Sequence, residues 1–402
     1  MDSPLIYMDY AAATPVHERV LKAMQPFYTE RFYNPSATYL PAREVSAELQ
    51  AARATVARWL GAKPAEIIFT AGATESTNLA IHGVMQQFDG DEDQRGNIVI
   101  SAIEHPAVLE PALRYDCRTV PVDAQGLLDL KALEAAIDEH TVLVSVMYAN
   151  NEVGTIQPIK DIAGIVAKKR RERQQAREDE LGTWNLEAGA PGQPYPLYLH
   201  TDAAQAGNYL DLHVSRLGVD MLTLNGGKLY GPKQSGVLYL AGHVRLRPLI
   251  VGGGQESHVR SGTENVAQAI GFAAALDIAQ SLRQEEVSRL QVLQQDFMAG
   301  LEAALPGVVV NGSRKKRLPN NVHVTFPGQD NERLLLELEQ RGILAAAGSA
   351  CAASDEEPSH VLRAMGVGDA DARASLRFTL GRQTRAKEIK QALTALTDIL
   401  RA

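Results

Sequence analysis

From about residue 41 the apolar positions switch repeatedly between two spacings. In PAREVSAELQAARATVARWLG they recur three and four residues apart, which predicts a helix closed by Gly61, and the β-branched run EIIFT that follows predicts a strand. TESTNLAIHGVMQQF then has helical spacing, opening at Thr74 or Glu75, and NIVIS has strand character. TVLVSVMYA, LYLHTD and DMLTLN continue the alternation. These last runs are apolar on both faces, as strands of a parallel sheet covered by helices on each side should be. Each ends in polar residues: Glu104 and His105, Asn150 and Asn151, Asp202, and Asn225 through Lys228. Open α/β sheets bind ligands outside the carboxyl ends of their strands, so this edge is where chemistry is expected.

The pattern changes beyond residue 264. Helical stretches at 264–280 and 285–305 precede VHVTF, ERLLLELEQRGI, ASLRFTL and a last helix from Arg385, which together predict a smaller α+β unit. The expected division is a large α/β domain over 15–264 and a small domain made of 1–14 and 265–402. Residues 168–196 break the rhythm with a mixed-charge run followed by a Gly/Pro-rich stretch. This segment reads as a helix tail plus a solvated loop, with a partner-docking excursion as the alternative.

Composition narrows the function classes. A length of 402 residues allows two or three domains of about 150 residues each, enough for a large core. Acidic residues outnumber basic ones, 48 to 40, which argues against a general binder of nucleic acid or of anionic membrane surfaces. No apolar run approaches the roughly 18 residues of a membrane span, and the opening MDSPLIYMDY lacks the features of a leader, so a cytoplasmic protein is expected. Cys117 and Cys351 lie far apart without CxxC spacing, which supports neither a disulfide framework nor a structural zinc site. No metal is expected.

Four strand-end segments carry candidate chemistry. TLNGGKLYGPKQSG places Lys228 after a strand among glycines, and LHTDAAQAG places Asp202 at the end of another. A lysine for a Schiff base and a carboxylate to keep a pyridine nitrogen protonated are what pyridoxal phosphate requires. Taken singly, Lys228 could be a solvated turn residue and Asp202 a helix N-cap. FTAGATESTNLAI offers a glycine-containing turn and a helix N-terminus suited to phosphate, with the Thr74 hydroxyl as an added donor. The alternative is a capping box built on Thr74 or Ser76. His105 in SAIEHPAVL could move protons near neutral pH or be a satisfied structural histidine. Cys351 lies in AAAGSACAASDEEPS, whose small residues suit a loop able to carry a thiolate, although free cysteines are commonly packing residues. Cys117 in YDCRTVPV reads as a core residue.

YMDYAAATPV, FTAGATESTNLAI, IEHPAVL, YANNEVGTIQPI, HTDAAQ, GKLYGPK, GGGQE, RSGTENV, GSACAASDEEPSHVLRAMG and LRFTLGR, in this order from about residue 5 to 400, resemble the cysteine desulfurases of the class V aminotransferase group. The resemblance implies a fold type I enzyme: a large domain with a mainly parallel, seven-stranded-type sheet flanked by helices, plus a smaller α+β domain. It implies pyridoxal 5'-phosphate as cofactor, Lys228 as the Schiff-base lysine, Asp202 as the partner of the pyridine nitrogen, Gln205 as donor to the phenolic oxygen and His105 stacked on the ring. Asn151 would help place cofactor and substrate, while Ala73, Thr74 and Asn225 would line the phosphate end. Thr263 would reach the phosphate from the other subunit of a homodimer. Arg377 would hold the carboxylate of L-cysteine, with a surface ion pair as the alternative. Cys351 would take the sulfur as a persulfide, releasing L-alanine, and pass it to an acceptor protein such as an iron–sulfur scaffold or a tRNA-thiolation enzyme.

Two departures from the family pattern stand out. The family usually has Ser, Gly and His directly before the lysine, with Ser and His contributing to the phosphate site; here those positions are Asn225, Gly226 and Gly227. The turn before the Asp202 strand is also longer than usual. The other readings are a selenocysteine lyase or another class V lyase or aminotransferase, and a non-catalytic scaffold for sulfur-transfer partners.

Overall fold

The computed structural model describes residues 5–89, 95–181, 195–348 and 358–401. Seven strands form the central sheet in the order Ile67–Thr70, Gly236–Leu240, Met221–Asn225, Tyr198–Asp202, Thr141–Ser145, Asn97–Ser101 and Asp116–Val120. The last five pair in parallel. Gly236–Leu240 runs antiparallel to both of its neighbours, so Ile67–Thr70 points the same way as the parallel five. The carboxyl ends of Ile67–Thr70, Met221–Asn225, Tyr198–Asp202, Thr141–Ser145 and Asn97–Ser101 therefore share one edge.

Helices cover both faces because the strands are apolar on both. Leu40–Leu60 ends at Gly61, whose φ of 63° closes the helix in the left-handed conformation. A Cβ there would also overlap the His213 ring at 2.2 Å. Val266–Ser281 packs against Leu40–Leu60 and Glu18–Met24. Its Phe272, Leu276 and Ile278 enter the same core as Val56, Leu79, Val99, Val144 and Leu222. The sequence pattern assigns this helix to the smaller unit, whereas its packing carries the larger core past residue 264.

The second core gathers around the antiparallel strands Val309–Val310, Asn321–Thr325 and Ser375–Thr379, and the helices Arg283–Ala304, Asn331–Gln340 and Ala386–Arg401. The N-terminal strand Ile6–Tyr7 pairs with Ile343–Leu344, which ties the start of the chain to this unit. A smaller cluster joins Ile103, Met147 and Val153 at the sheet edge to Val361, Leu362 and Met365. Packing across that edge holds the C-terminal region beside the strand ends.

The mixed-charge run continues the helix Ile159–Leu181. Arg170 Nε donates to the Leu197 carbonyl (2.7 Å) and Arg173 Nη1 to that of Tyr195 (3.0 Å), so these arginines fasten the helix to the sheet. Residues 182–194 lie outside the described residues. Cys117 is half-buried on the sheet's edge strand, less enclosed than expected, and burial with the nearby Asp116 carboxylate pushes its thiol up to about 11.

Candidate active site

A cleft with about 810 Å³ of open space lies outside the shared strand edge, and its lining includes Ala73, Thr74, His105, Asn151, Asp202, Gln205, Asn225, Lys228 and Arg377. Residues separated by up to 304 positions meet here because each follows a strand of one sheet, except Arg377, which comes from the strand Ser375–Thr379 of the second unit.

Lys228 closes a short 3-10 turn, Gly226–Lys228, whose first N–H groups follow the strand Met221–Asn225. Its Nζ donates to the carbonyls of Ala11 (2.7 Å) and Ala12 (2.5 Å). Asp202 ends its strand almost fully buried and accepts from the Ala204 N–H at 2.9 Å. Burial pushes its carboxyl up, opposed by the nearby His105 and Lys228. A buried acid in this setting is matched by a ligand that brings a positive N–H donor.

His105 is the N-cap of the helix Pro106–Ala112, and its Nδ1 accepts from the Ala107 N–H at 3.0 Å. That bond places the proton of the neutral ring on Nε2. Burial lowers the imidazole's affinity for a second proton. The residue is thus structurally satisfied on one edge and lines the cleft with the rest of its ring.

The helix Ala73–Met85 opens one residue earlier than predicted. Its N-cap is Gly72, at φ 136°, and no side chain caps the first turn. The capping box on Thr74 or Ser76 is absent; Ser76 instead pairs with Thr70 through their hydroxyls at 2.7 Å. The difference has a simple physical cause, since glycine at φ 136° starts the helix before the hydroxyls reach a capping position. The free N–H groups of a long helix then point to the cleft, next to Ala73 and Thr74.

Asn225 Oδ1 accepts from the Gly227 N–H at 3.0 Å, which turns the amide NH₂ away from that bond. A Cβ on Gly227 would meet nothing closer than 3.4 Å, whereas one on Gly226 would lie 2.0 Å from Ser235 Oγ. The backbone therefore has room where the family histidine would stand. Gln205 donates through Nε2 to the Ala11 carbonyl at 3.1 Å.

Arg377 is buried, so the surface ion pair considered from sequence is replaced by an internal one. Its Nη2 meets Asp9 Oδ1 at 2.6 Å and its Nη1 meets the Asn151 carbonyl at 3.0 Å. Thr263 is exposed and does not line the cleft of its own chain. Arg260, three residues earlier, pairs with Glu75 in the first turn of the helix Ala73–Met85 at 2.7 Å. Cys351 lies outside the described residues. Just beyond that segment, Ser359 Oγ donates to Glu152 Oε2 (2.6 Å), and His360 Nε2 lies 2.9 Å from the Glu104 carbonyl.

Sequence reasoning left several contributors unassigned. Asp9 and Glu152 stood inside quoted motifs, YMDYAAATPV and YANNEVGTIQPI, yet their partners are distant in the chain and no local spacing marks them. Buried His200, bonded to Ser145 (2.8 Å) and Thr223 (3.0 Å), braces the strand that presents Asp202.

The aminotransferase class-V family matches residues 6–171 and 178–392. The cysteine desulfurase IscS of Dictyoglomus turgidum is 39% identical over 400 residues, 98% of this chain and 94% of the relative. Among solved structures, a NifS-like protein superposes with a TM-score of 0.86 at 34% identity, covering 99% of both chains. SspA in complex with cysteine gives 0.77 at 33%, covering 93% of this chain and 98% of that one. With the fold, the strand-edge cleft and these likenesses in agreement over nearly the whole length, the chain belongs to the class-V aminotransferase family.

Proposed function

We propose that the protein is a pyridoxal phosphate-dependent cysteine desulfurase that acts as a homodimer. The observation that carries this reading is the meeting of Lys228, Asp202, His105 and Arg377 in one cleft beside an uncapped helix N-terminus. The residues fit the cofactor: a buried carboxylate for the ring nitrogen, an amine in reach, an imidazole edge and free backbone N–H groups for the phosphate. The relatives named as cysteine desulfurases, and the neighbour bound to cysteine, support the choice of substrate.

Bound pyridoxal phosphate supplies the electron sink that lets the substrate's α-carbon give up its proton. The protein's residues do the rest. Arg377 fixes the carboxylate of L-cysteine through charge-assisted hydrogen bonds. Asp202 would hold the ring nitrogen through a charge-assisted hydrogen bond, which favours its ionised form against the burial that pushes its carboxyl up. Lys228 Nζ, already held among acceptors at the cleft wall, takes and returns the proton at the α-carbon. His105, neutral with its proton on Nε2, carries a proton between substrate and Lys228. The Cys351 thiolate attacks the substrate sulfur, so an S–S bond forms as the C–S bond breaks and the electron pair stays with the carbon skeleton. Protonation there gives L-alanine, and the sulfur remains on Cys351 as a persulfide for an acceptor protein.

Replacing the nucleophile tests this reading. Cys351→Ser should keep the visible absorbance of the cofactor-loaded protein and its response to L-cysteine, but release sulfide more than tenfold more slowly, a barrier increase above about 1.4 kcal/mol. Retention of more than about a tenth of the turnover would remove Cys351 from its role. A purified protein with no visible cofactor band after reconstitution would point to the non-catalytic scaffold instead.

A further inference from the structure

The turn that follows the N-terminal strand touches both ends of the proposed reaction. Asp9 presents its carboxylate to Arg377, while the carbonyls of Ala11 and Ala12, two and three residues later, hold Lys228 Nζ. The turn itself is closed by bonds from Ala12 N (3.0 Å) and Ala13 N (3.4 Å) to the Asp9 carbonyl. The Tyr7 hydroxyl, whose one proton is shared between the carbonyls of Asp9 (2.8 Å) and Ala13 (3.0 Å), braces it further.

Arg377 needs such support. Its side chain is 2% exposed, against 17% for Asp9, so the guanidinium is a buried cation whose single carboxylate partner among the described residues is Asp9. A buried charge that loses its partner repacks or draws in water. The backbone of Arg377 is pinned independently, by paired bonds with Ala346, so Asp9 governs the direction of the fork and not the path of the strand. With Nη2 on Asp9 and Nη1 on the Asn151 carbonyl, Nε is closed to water and has no acceptor among the described residues. It is the one guanidinium nitrogen with no partner among these residues, and with the second hydrogens of Nη1 and Nη2 it is what the fork has left for an incoming carboxylate.

We propose that Asp9 is a positioning residue for substrate recognition, holding Arg377 so that its Nε edge receives the carboxylate of L-cysteine. This rests on the desulfurase reading above. Charge alone predicts the opposite sign, because a carboxylate beside Arg377 repels a second one. The two effects can therefore be separated by the direction of the change.

The experiment uses cofactor-loaded protein in a Cys351→Ser background, which stops sulfur transfer, and follows the visible absorbance during titration with L-cysteine and with cysteamine, its carboxylate-free analogue. Asp9→Asn should raise the dissociation constant for L-cysteine about tenfold, or about 1.4 kcal/mol, and shift that for cysteamine less than twofold. In an Arg377→Lys background the same substitution should add less than threefold, since a residue acting through Arg377 has little left to remove. Unchanged or tighter L-cysteine binding overturns the proposal, as does equal weakening of both ligands, which marks a merely structural role. Should Asp9→Asn fail to fold, Tyr7→Phe loosens the same turn and should weaken L-cysteine alone, by about threefold; an equal shift for cysteamine has the same negative meaning. If the parent responds to cysteamine but not to L-cysteine, the desulfurase reading fails instead.

Discussion

Glu104, beside the cleft, is held far from its ordinary state. It is fully enclosed, its Oε1 accepts from Ser101 Oγ (2.5 Å) and the Met147 N–H (2.9 Å), and its Oε2 has no partner among the described residues. Burial pushes the carboxyl up to about 8, with Asp202 adding to the rise and the two hydrogen bonds opposing it. The native protein thus binds a proton that the unfolded chain releases between about 4.5 and 8, so this residue's contribution to stability is full below 4.5 and is lost as pH rises through 8. Buried His200, held down to about 3, contributes with the opposite slope between 3 and 6.5. The diagnostic quantity is therefore the difference between parent and Glu104→Gln. Urea unfolding of the apoprotein should show the parent losing stability relative to the variant by up to about 1.4 kcal/mol per pH unit from pH 5 to 8; parallel pH profiles would mean that Glu104 is ionised when buried. A second residue-scale prediction concerns the other thiol. With burial holding Cys117 protonated, Cys117→Ser should leave sulfide release within twofold of the parent, and a larger loss would give it a part in the chemistry. Most cleft residues were legible from sequence because strand ends announce themselves as the points where apolar runs stop. Asp9, Glu152 and His200 were not, since each acts through a partner that only the tertiary fold supplies.

At the scale of elements, the turn before Lys228 is where this chain and its family differ in a measurable way. The missing histidine removes a charge-assisted donor, worth about 1.5 to 3 kcal/mol if nothing replaces it. Asn225 lines the cleft and spends its carbonyl oxygen on the Gly227 N–H, which leaves its NH₂ as the available substitute donor. Dialysis of loaded protein should therefore remove cofactor measurably, Asn225→Ala should hasten the loss, and Gly227→His should slow it. The structure separates the two glycines: a side chain at Gly227 enters ordinary space, while Gly226→Ala would drive its Cβ into Ser235 Oγ and should lower the thermal midpoint of the apoprotein by several degrees. Equal retention in the parent, Asn225→Ala and Gly227→His would place the phosphate contacts elsewhere. The strands of this sheet divide similarly into legible and hidden ones. Asn97–Ser101, Thr141–Ser145, Tyr198–Asp202 and Met221–Asn225 are apolar enough to declare themselves, whereas Asp116–Val120 is a half-exposed edge whose polar run, DCRT, does not mark it as a strand. The antiparallel insertion of Gly236–Leu240 between two like-directed strands likewise has no signature in local spacing.

On the scale of the whole molecule, the segment from Gly252 to Thr263 bears on the proposed homodimer. Glu256, Ser257 and His258 all take left-handed backbone angles, with φ of 47°, 58° and 64°, a run that non-glycine residues adopt only when something holds them. The buried pair of Arg53 and Glu256 does so, with Nη1 and Nη2 each 2.7 Å from a carboxylate oxygen. This turn leads to Thr263, which is exposed and does not line the cleft of its own chain; the proposed homodimer has it serve the phosphate of the second subunit. Leu249, Ile250 and Val251 immediately before it are also exposed, at 36%, 42% and 77%, an apolar run that a partner surface would cover. If Thr263 acts across the interface, each site combines Lys228 of one chain with Thr263 of the other. Co-expressing Lys228→Ala and Thr263→Ala chains with different affinity tags then gives a heterodimer in which one site carries both defects and the other carries none. Its sulfide release should approach half that of the parent dimer, whereas the Lys228→Ala homodimer should be inactive and the Thr263→Ala homodimer should lose cofactor on dilution. Action within one chain predicts a different outcome, because the site with an intact lysine would then also hold the substituted threonine. A heterodimer no more active per intact lysine than the Thr263→Ala homodimer would assign Thr263 to its own subunit.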